Sequence, residues 1–330
     1  MTQHNESIEK KPIVFTPLFK ELIWGGNRIL RFKNLEPDDR KIGESWEIST
    51  LPGNESVVES GTYKGLTINE LTRRFGAQLL GSKVVKTYGD TFPLMIKLID
   101  ANQNLSIQVH PDNKLAMRVH NRPGKTEMWY VIDALPGAGI YSGLLRPLTS
   151  ETIKQKIDDS TIIDELALHN SANGDIFFIP AGRIHAIGAG NLIAEIQEPS
   201  DITYRIYDYG RKDANGQPRE LHTELASQAI NPERNADVPP TRANPELNDT
   251  CVVDYPRFRT RRIIVDGNTS IEPTEDSYTV LMCVDGEATL TYPEGKTELR
   301  PGLTLLLPAV MPEVEINGHC TLLLVRSFAE

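Results

Sequence analysis

The sequence contains no long hydrophobic run. Nowhere do apolar residues approach the roughly 20 in succession that a membrane-spanning helix needs, so no membrane partner is expected. The opening residues Met1–Ser7 are polar and lack the apolar centre of a secretory signal, which makes a cytoplasmic location the expectation. Positive charge is also in short supply. The 35 Lys and Arg are outnumbered by 45 Asp and Glu, for a formal charge of -10, and the basic residues are not gathered into a surface that could grip a phosphate backbone. Nucleic acid is therefore not an expected partner, and a small anionic ligand would need a local positive pocket. Cysteine is limited to Cys251, Cys283 and Cys320. Their odd number, their lack of metal-type spacing and their confinement to the last third of the chain read as reduced thiols.

What the chain does have is punctuation. Its 22 Pro and 24 Gly separate many short apolar runs, a pattern that suits a mainly β protein, and 330 residues suffice for two domains. Residues 1–11 read as a flexible arm, 12–235 as a first domain with helical insertions, 236–250 as a linker rich in Asn, Pro and charge, and 251–330 as a smaller β domain. Pro12–Pro17 reads as a short edge strand. Thr67 and Glu70 have capping-box spacing, and Leu71, Phe75 and Leu79 continue at helical spacing, predicting a helix that ends near Gly81. Phe92–Asp100 reads as a buried strand, 149–169 as one or two short helices, and Glu220–Ile230 as a last helix before the linker. Arg257, Arg259, Arg261 and Arg262 read as a solvated face.

Two stretches carry candidate metal ligands. In Leu105–His110 the alternation of a strand puts Gln108 and His110 on one face and Ile107 and Val109 on the other. In Gly174-Asp-Ile-Phe-Phe-Ile-Pro180-Ala-Gly182-Arg-Ile-His185, a turn, a strand and a Pro/Gly stop hold His185 at a strand end. Glu127 lies between them. Two imidazoles with two oxygen donors suit a borderline divalent ion such as zinc, and the set does not exclude iron, manganese or nickel.

The spacing from Gly174 to His185 resembles the second cupin motif, with Ala189 where an Asn often ends it. Together with Gln108–Asp112, Gly124–Tyr130 and Tyr204–Tyr209, it resembles the short bacterial form of the type I mannose-6-phosphate isomerase family. The resemblance implies two cupin barrels, the second degenerate, since Val310 and Glu313 replace the motif's Gly and His after Gly302–Pro308. It implies one Zn2+ per chain on Gln108, His110, Glu127 and His185, and an aldose-ketose isomerisation of mannose 6-phosphate to fructose 6-phosphate through a cis-enediol. Trp24 corresponds to the family's N-terminal Trp-Gly, with lining the pocket or plain burial both open. Arg205 takes the place of the active-site arginine and Lys125 that of the pocket lysine, each able to meet substrate. Glu195 and Asp201 are the carboxylates considered for proton transfer, each equally readable as an ion-pair partner. Many longer members have His-Lys-Pro-Glu where this chain has Gly124-Lys-Thr-Glu127, so acid-base work by that His is ruled out here. The partner implied is a small sugar phosphate, bound by a monomer or weak homo-oligomer.

Overall fold

The structure, a computed structural model, describes residues 6–212, 216–233 and 240–327. The expected mainly β architecture is borne out, and three sheets carry it. A seven-stranded antiparallel sheet has the order Thr241–Arg242, Asp175–Ile179, Glu127–Ala134, Asn191–Gln197, Met95–Ala101, Ile42–Ile48 and Leu18–Gly26. A five-stranded sheet has the order Tyr204–Tyr207, Ile107–Val109, His185–Ile187, Gly139–Leu144 and Leu166–Asn170. The third sheet takes in the C-terminal strands, three of them long hairpin arms: Phe258–Ile271, Thr279–Tyr292 and Val314–Arg326.

Strand periodicity decides which side of each sheet carries chemistry. Met95–Ala101 and Asn191–Gln197 are buried at every position, as strands in the middle of a sheet covered on both faces must be. Ile96, Leu98, Ala194 and Ile196 join a core that also holds Leu71, Val280 and Met282, so this face of the sheet packs on helices and on the C-terminal half. The alternate residues Ile99, Trp129, Phe177, Ile187 and Ile193 fill the space between the two smaller sheets. The five-stranded sheet obeys the same rule. Ile107, Val109, Ile184, Ala186, Tyr204 and Ile206 face outward beneath helices Asn113–His120, Ser150–Asp158 and Thr223–Ala229. Gln108, His185 and Arg205 are thereby left on the inner face, where their backbones are direct neighbours: Gln108 pairs with His185 on one side and Arg205 on the other.

The helix expected from Thr67 is present, with its capping box, as Ile68–Phe75. It stops at Gly76, whose positive φ breaks the run before the short Ala77–Leu80. Gly81, also at positive φ, ends that run against the backbone of Asp276 and Ser277, where a side chain would have no room. The 149–169 segment forms one α-helix, one 3-10 turn (Ile162–Glu165) and a strand. Helix Asn113–His120, which the apolar pattern does not announce, starts where the Asp112 side chain accepts from Leu115 N.

The structure corrects one expectation and adds detail to three. Ile13–Thr16 is not an edge strand: its first two residues pair with Leu306 and Leu305 and its last two with Val58 and Val57. The described part of the arm is packed, because Ile8 is buried and residues 6–9 bond Arg74, Gln78 and Tyr63. Residues 1–5 lie outside the described chain. Of the expected linker, 236–239 lie outside it too, and Thr241–Arg242 adds a short strand to the seven-stranded sheet. The arginine run is paired as well as solvated: Arg257 bonds buried Glu198, Arg259 bonds Asp254 and Arg261 bonds Asp249.

Candidate functional site

His110, Glu127 and His185 meet between the two inner faces. One ligand atom from each lies within 4.8 Å of the others, and all three side chains are about 1% exposed. Local structure fixes the imidazoles. His110 Nδ1 lies 2.8 Å from the Ile202 carbonyl and His185 Nδ1 2.8 Å from the Arg183 carbonyl, so each donates there and turns an Nε2 lone pair inward. The turn from Pro180 to Gly182 is itself tied to the first ligand, since Gly182 N–H donates to the His110 carbonyl at 2.8 Å. His110 Nε2 stands 3.5 Å, and His185 Nε2 3.4 Å, from separate oxygens of Glu127. The Gln108 amide lies 3.3 Å from His185 Nε2, and a half-turn of the amide would present its oxygen to the same point.

Burial lowers the pKa of both imidazoles, His185 to about 3 and His110 well below its ordinary value, so both are neutral and able to ligate. Neither buried Glu127 oxygen has a hydrogen-bond partner of good geometry, although Lys125 Nζ is 2.5 Å from one. This buried carboxylate has Lys125 as its charged partner. Opposite two imidazole lone pairs, it fits a divalent cation, and this is the one group of metal-ligating type among the described residues.

Lys125 links this cluster to a second carboxylate. Its Nζ is 3.0 Å from Glu195 Oε1 and 3.3 Å from His110 Nε2, and all of these groups are buried. Burial opposes the charge on Lys125, but Glu127 and Glu195 outweigh it, and the pKa is raised. Glu195 moves upward through burial, only partly offset by Lys125. Two acids and one lysine leave this buried cluster one negative charge in excess, which again favours a cation.

A pocket of about 190 Å³ opens beside the cluster, lined among others by Trp24, Gln108, Lys125, Glu127, Glu195, Asp201 and Arg205. Seven of the sequence-derived residues thus share one cavity, and His110 and His185 complete it from behind. Trp24 is both buried and a wall. Asp201 is at the mouth, exposed and 3.0 Å from Arg122, not from the arginines nearest in sequence.

Comparison with known proteins gives the family. The family model for the phosphomannose isomerase type I catalytic domain matches residues 13–129, and that for the mannose-6-phosphate isomerase cupin domain matches 250–327. Mannose-6-phosphate isomerase ManA of Bacillus subtilis is 34% identical over 317 residues, covering 94% of this chain and 96% of the relative. The chain belongs to the type I mannose-6-phosphate isomerase family. Mannose-6-phosphate isomerase of Streptococcus mutans is 33% identical, covering 96% of this chain and 98% of its own. The crystal structure of mannose 6-phosphate isomerase from Bacillus subtilis superposes with a TM-score of 0.82 at 31% identity, covering 95% of this chain and 99% of that one. A putative mannosephosphate isomerase from Archaeoglobus fulgidus shares the fold, with a TM-score of 0.79 at 21% identity.

Within the family framework, four pocket residues escaped sequence reasoning: Glu44, Trp46, Lys97 and Arg219. Lys97 sits under 7% exposed on the inner face, with Glu44 3.6 Å away and the Trp46 ring beneath its ammonium. A lysine inside the apolar run Phe92–Asp100 was the available signal, because such a strand tolerates a charge only where it faces a partner. Glu44 and Trp46 show the same strand alternation. Arg219 had no local signal at all, being brought in by a loop.

Proposed function

We propose that this chain is a zinc-dependent isomerase interconverting mannose 6-phosphate and fructose 6-phosphate through a cis-enediol. The observation that carries the reading is the buried His110–Glu127–His185 cluster, in which the two Glu127 oxygens are turned toward the two imidazoles, open to a pocket that also presents Lys97, Lys125, Glu195 and Arg205. The ion would be held by His110 Nε2, His185 Nε2, Glu127 and the Gln108 amide oxygen. When bound, it would supply Lewis acidity toward the sugar's C1 and C2 oxygens.

The protein's own groups do the rest. Glu195, a buried carboxylate in the pocket wall, is the group to carry a proton between C1 and C2, with Asp201 at the mouth as the second carboxylate. Lys125 holds Glu195 and Glu127 in fixed relation through its two ion pairs. Arg205 remains charged at neutral pH and faces the negative charge that develops on the sugar. Trp24 closes a wall and excludes water. In this reading residues 12–235 form the catalytic cupin unit, 236–250 the connection, and 251–330 a second cupin unit without metal, working in the cytoplasm as a monomer or weak homo-oligomer. A tight oligomer by sedimentation at micromolar concentration would overturn the last point.

The decisive test is fructose 6-phosphate formation from mannose 6-phosphate by purified protein as isolated, after chelation, and after zinc is returned. Loss with chelator and recovery with zinc is expected; activity indifferent to chelation in demonstrably metal-free protein would remove the metal from the reaction. Arg205→Ala is expected to retain metal in full yet lose turnover by roughly 10²-fold or more, the scale of one electrostatic contact to a transition state. An unchanged kcat would place Arg205 outside the chemistry.

A further inference from the structure

The pocket contains three basic side chains besides Arg219, and their surroundings separate those committed to the protein from those available to a ligand. Lys125 is held by Glu127 and Glu195. Lys97 is buried against Glu44 and the Trp46 ring. Arg211, a neighbour in sequence, bonds Asp208 and the Asn104 carbonyl and lines a different surface depression, with Lys41 and Lys212. Arg205 and Arg219 remain, side by side in the pocket wall next to Thr203.

Arg219 is set in place by an uncommon partner. Asp208 is a 5% exposed carboxylate that receives both Arg211 and Arg219: Arg219 Nε bonds Asp208 Oδ2 at 2.7 Å, and an Nη of each arginine reaches Oδ1. Burial alone would raise the Asp208 pKa, but the two guanidinium groups overcome it and the net shift is downward, so the carboxylate is ionised at neutral pH. The planar fork of Arg219 is therefore fixed by one edge, as bidentate pairing requires. Arg205 is fixed similarly, through its Nη1 to the Glu220 carbonyl at 2.9 Å, while its buried Nε lacks any partner. Arg205 and Arg219 face the pocket with only Asp208, shared with Arg211, set against them, which leaves this wall positive. That is the complement of a phosphate monoester dianion, in a chain whose formal charge is -10.

We propose that Arg219 is the residue that selects for the phosphate of the sugar substrate, and that Asp208 is its positioning residue. The proposal rests on the sugar-phosphate reading above. In it, the anionic end of the substrate lies against Arg219 and its C1–C2 end against the Gln108–Glu127 side, with Arg205, the strand neighbour of Gln108, between the two. Arg219 discriminates phosphorylated from free sugar, and Asp208 acts only by holding the guanidinium.

The test is steady-state kinetics of wild type, Arg219→Gln, Arg219→Lys and Asp208→Asn with zinc-loaded protein, with inorganic phosphate titrated as an inhibitor. Arg219→Gln is expected to raise KM for mannose 6-phosphate at least tenfold, with the loss falling chiefly on KM, and to weaken phosphate inhibition by a similar factor. Arg219→Lys should recover part of both losses, and Asp208→Asn should weaken KM and phosphate inhibition together. Equal KM and equal phosphate inhibition in wild type and Arg219→Gln would overturn the proposal, as would a loss confined to kcat. Should Asp208→Asn fail to fold, the two Arg219 variants decide alone. A wild type that binds phosphate but turns over no mannose 6-phosphate would instead overturn the sugar-phosphate reading, which keeps the two failures apart.

Discussion

His185→Ala is expected to lose bound divalent metal and isomerase turnover together, turnover by 10³-fold or more, while the fold survives. The side chain supplies one of two inward imidazole lone pairs, and its removal leaves Glu127 and His110 without a third protein ligand of comparable strength, since Gln108 offers only a neutral amide. Its effect on the fold should be small. Two separate cores, one spanning helix Ile68–Phe75 with the seven-stranded sheet and one within the C-terminal strands, contain none of the cluster. Elemental analysis and far-ultraviolet circular dichroism on the same preparation check both halves of the expectation. Full metal retention with an intact spectrum would sink the ligand assignment.

The second large effect is on stability. Lys125→Met keeps the stem volume but deletes the cation paired with both Glu127 and Glu195, leaving two buried carboxylates facing one another. Breaking a buried ion pair in this manner costs about 3–5 kcal/mol, which for a chain of this size lowers the melting temperature by roughly 4–7 °C. The full drop is expected in chelated protein, and added zinc should recover part of it by replacing the missing positive charge at Glu127. Acid should also narrow the gap. The folded-state pKa of Glu195 is raised by burial, so its contribution to stability is present at low pH and is lost as pH rises through that raised value; without Lys125 that loss is larger. Melting curves of chelated and zinc-loaded protein across pH check this, and a shift under 1 °C in the chelated state would show that the lysine does not compensate the pair.

The parts of the site that were legible in the sequence are those written in local geometry. Gln108 and His110 are two residues apart on a strand, and His185 follows a strand stopped by Pro180 and Gly182, so spacing alone reports their shared direction. Glu127 and Glu195 face the same cavity for the same reason, each on a strand whose neighbouring residues pack on the opposite side. Lys97 was half legible, as one charge in an apolar strand, but its partners Glu44 and Trp46 come from a strand some fifty residues earlier. Arg219 was illegible, because a loop carries it and its orientation depends on Asp208. The fold shows the same limit. Helix Ile68–Phe75 carries its own capping box and apolar stripe, whereas the docking of Ile8 and the pairing of Ile13–Thr16 depend on residues up to about 290 positions away.

That last pairing links distant parts of the chain in time as well as space. Ile13 and Val14 leave a ribosome about 290 residues before the strand that receives them, Thr304–Leu307. Until then Ile13 and Phe15, both buried in the finished protein, have only Val57 and Val58 for neighbours in that sheet. Such a long-range closure is slow and leaves an apolar strand open in the nascent chain. Any shortened version ending before residue 304 would keep that open strand permanently, and with it a route to edge-to-edge aggregation.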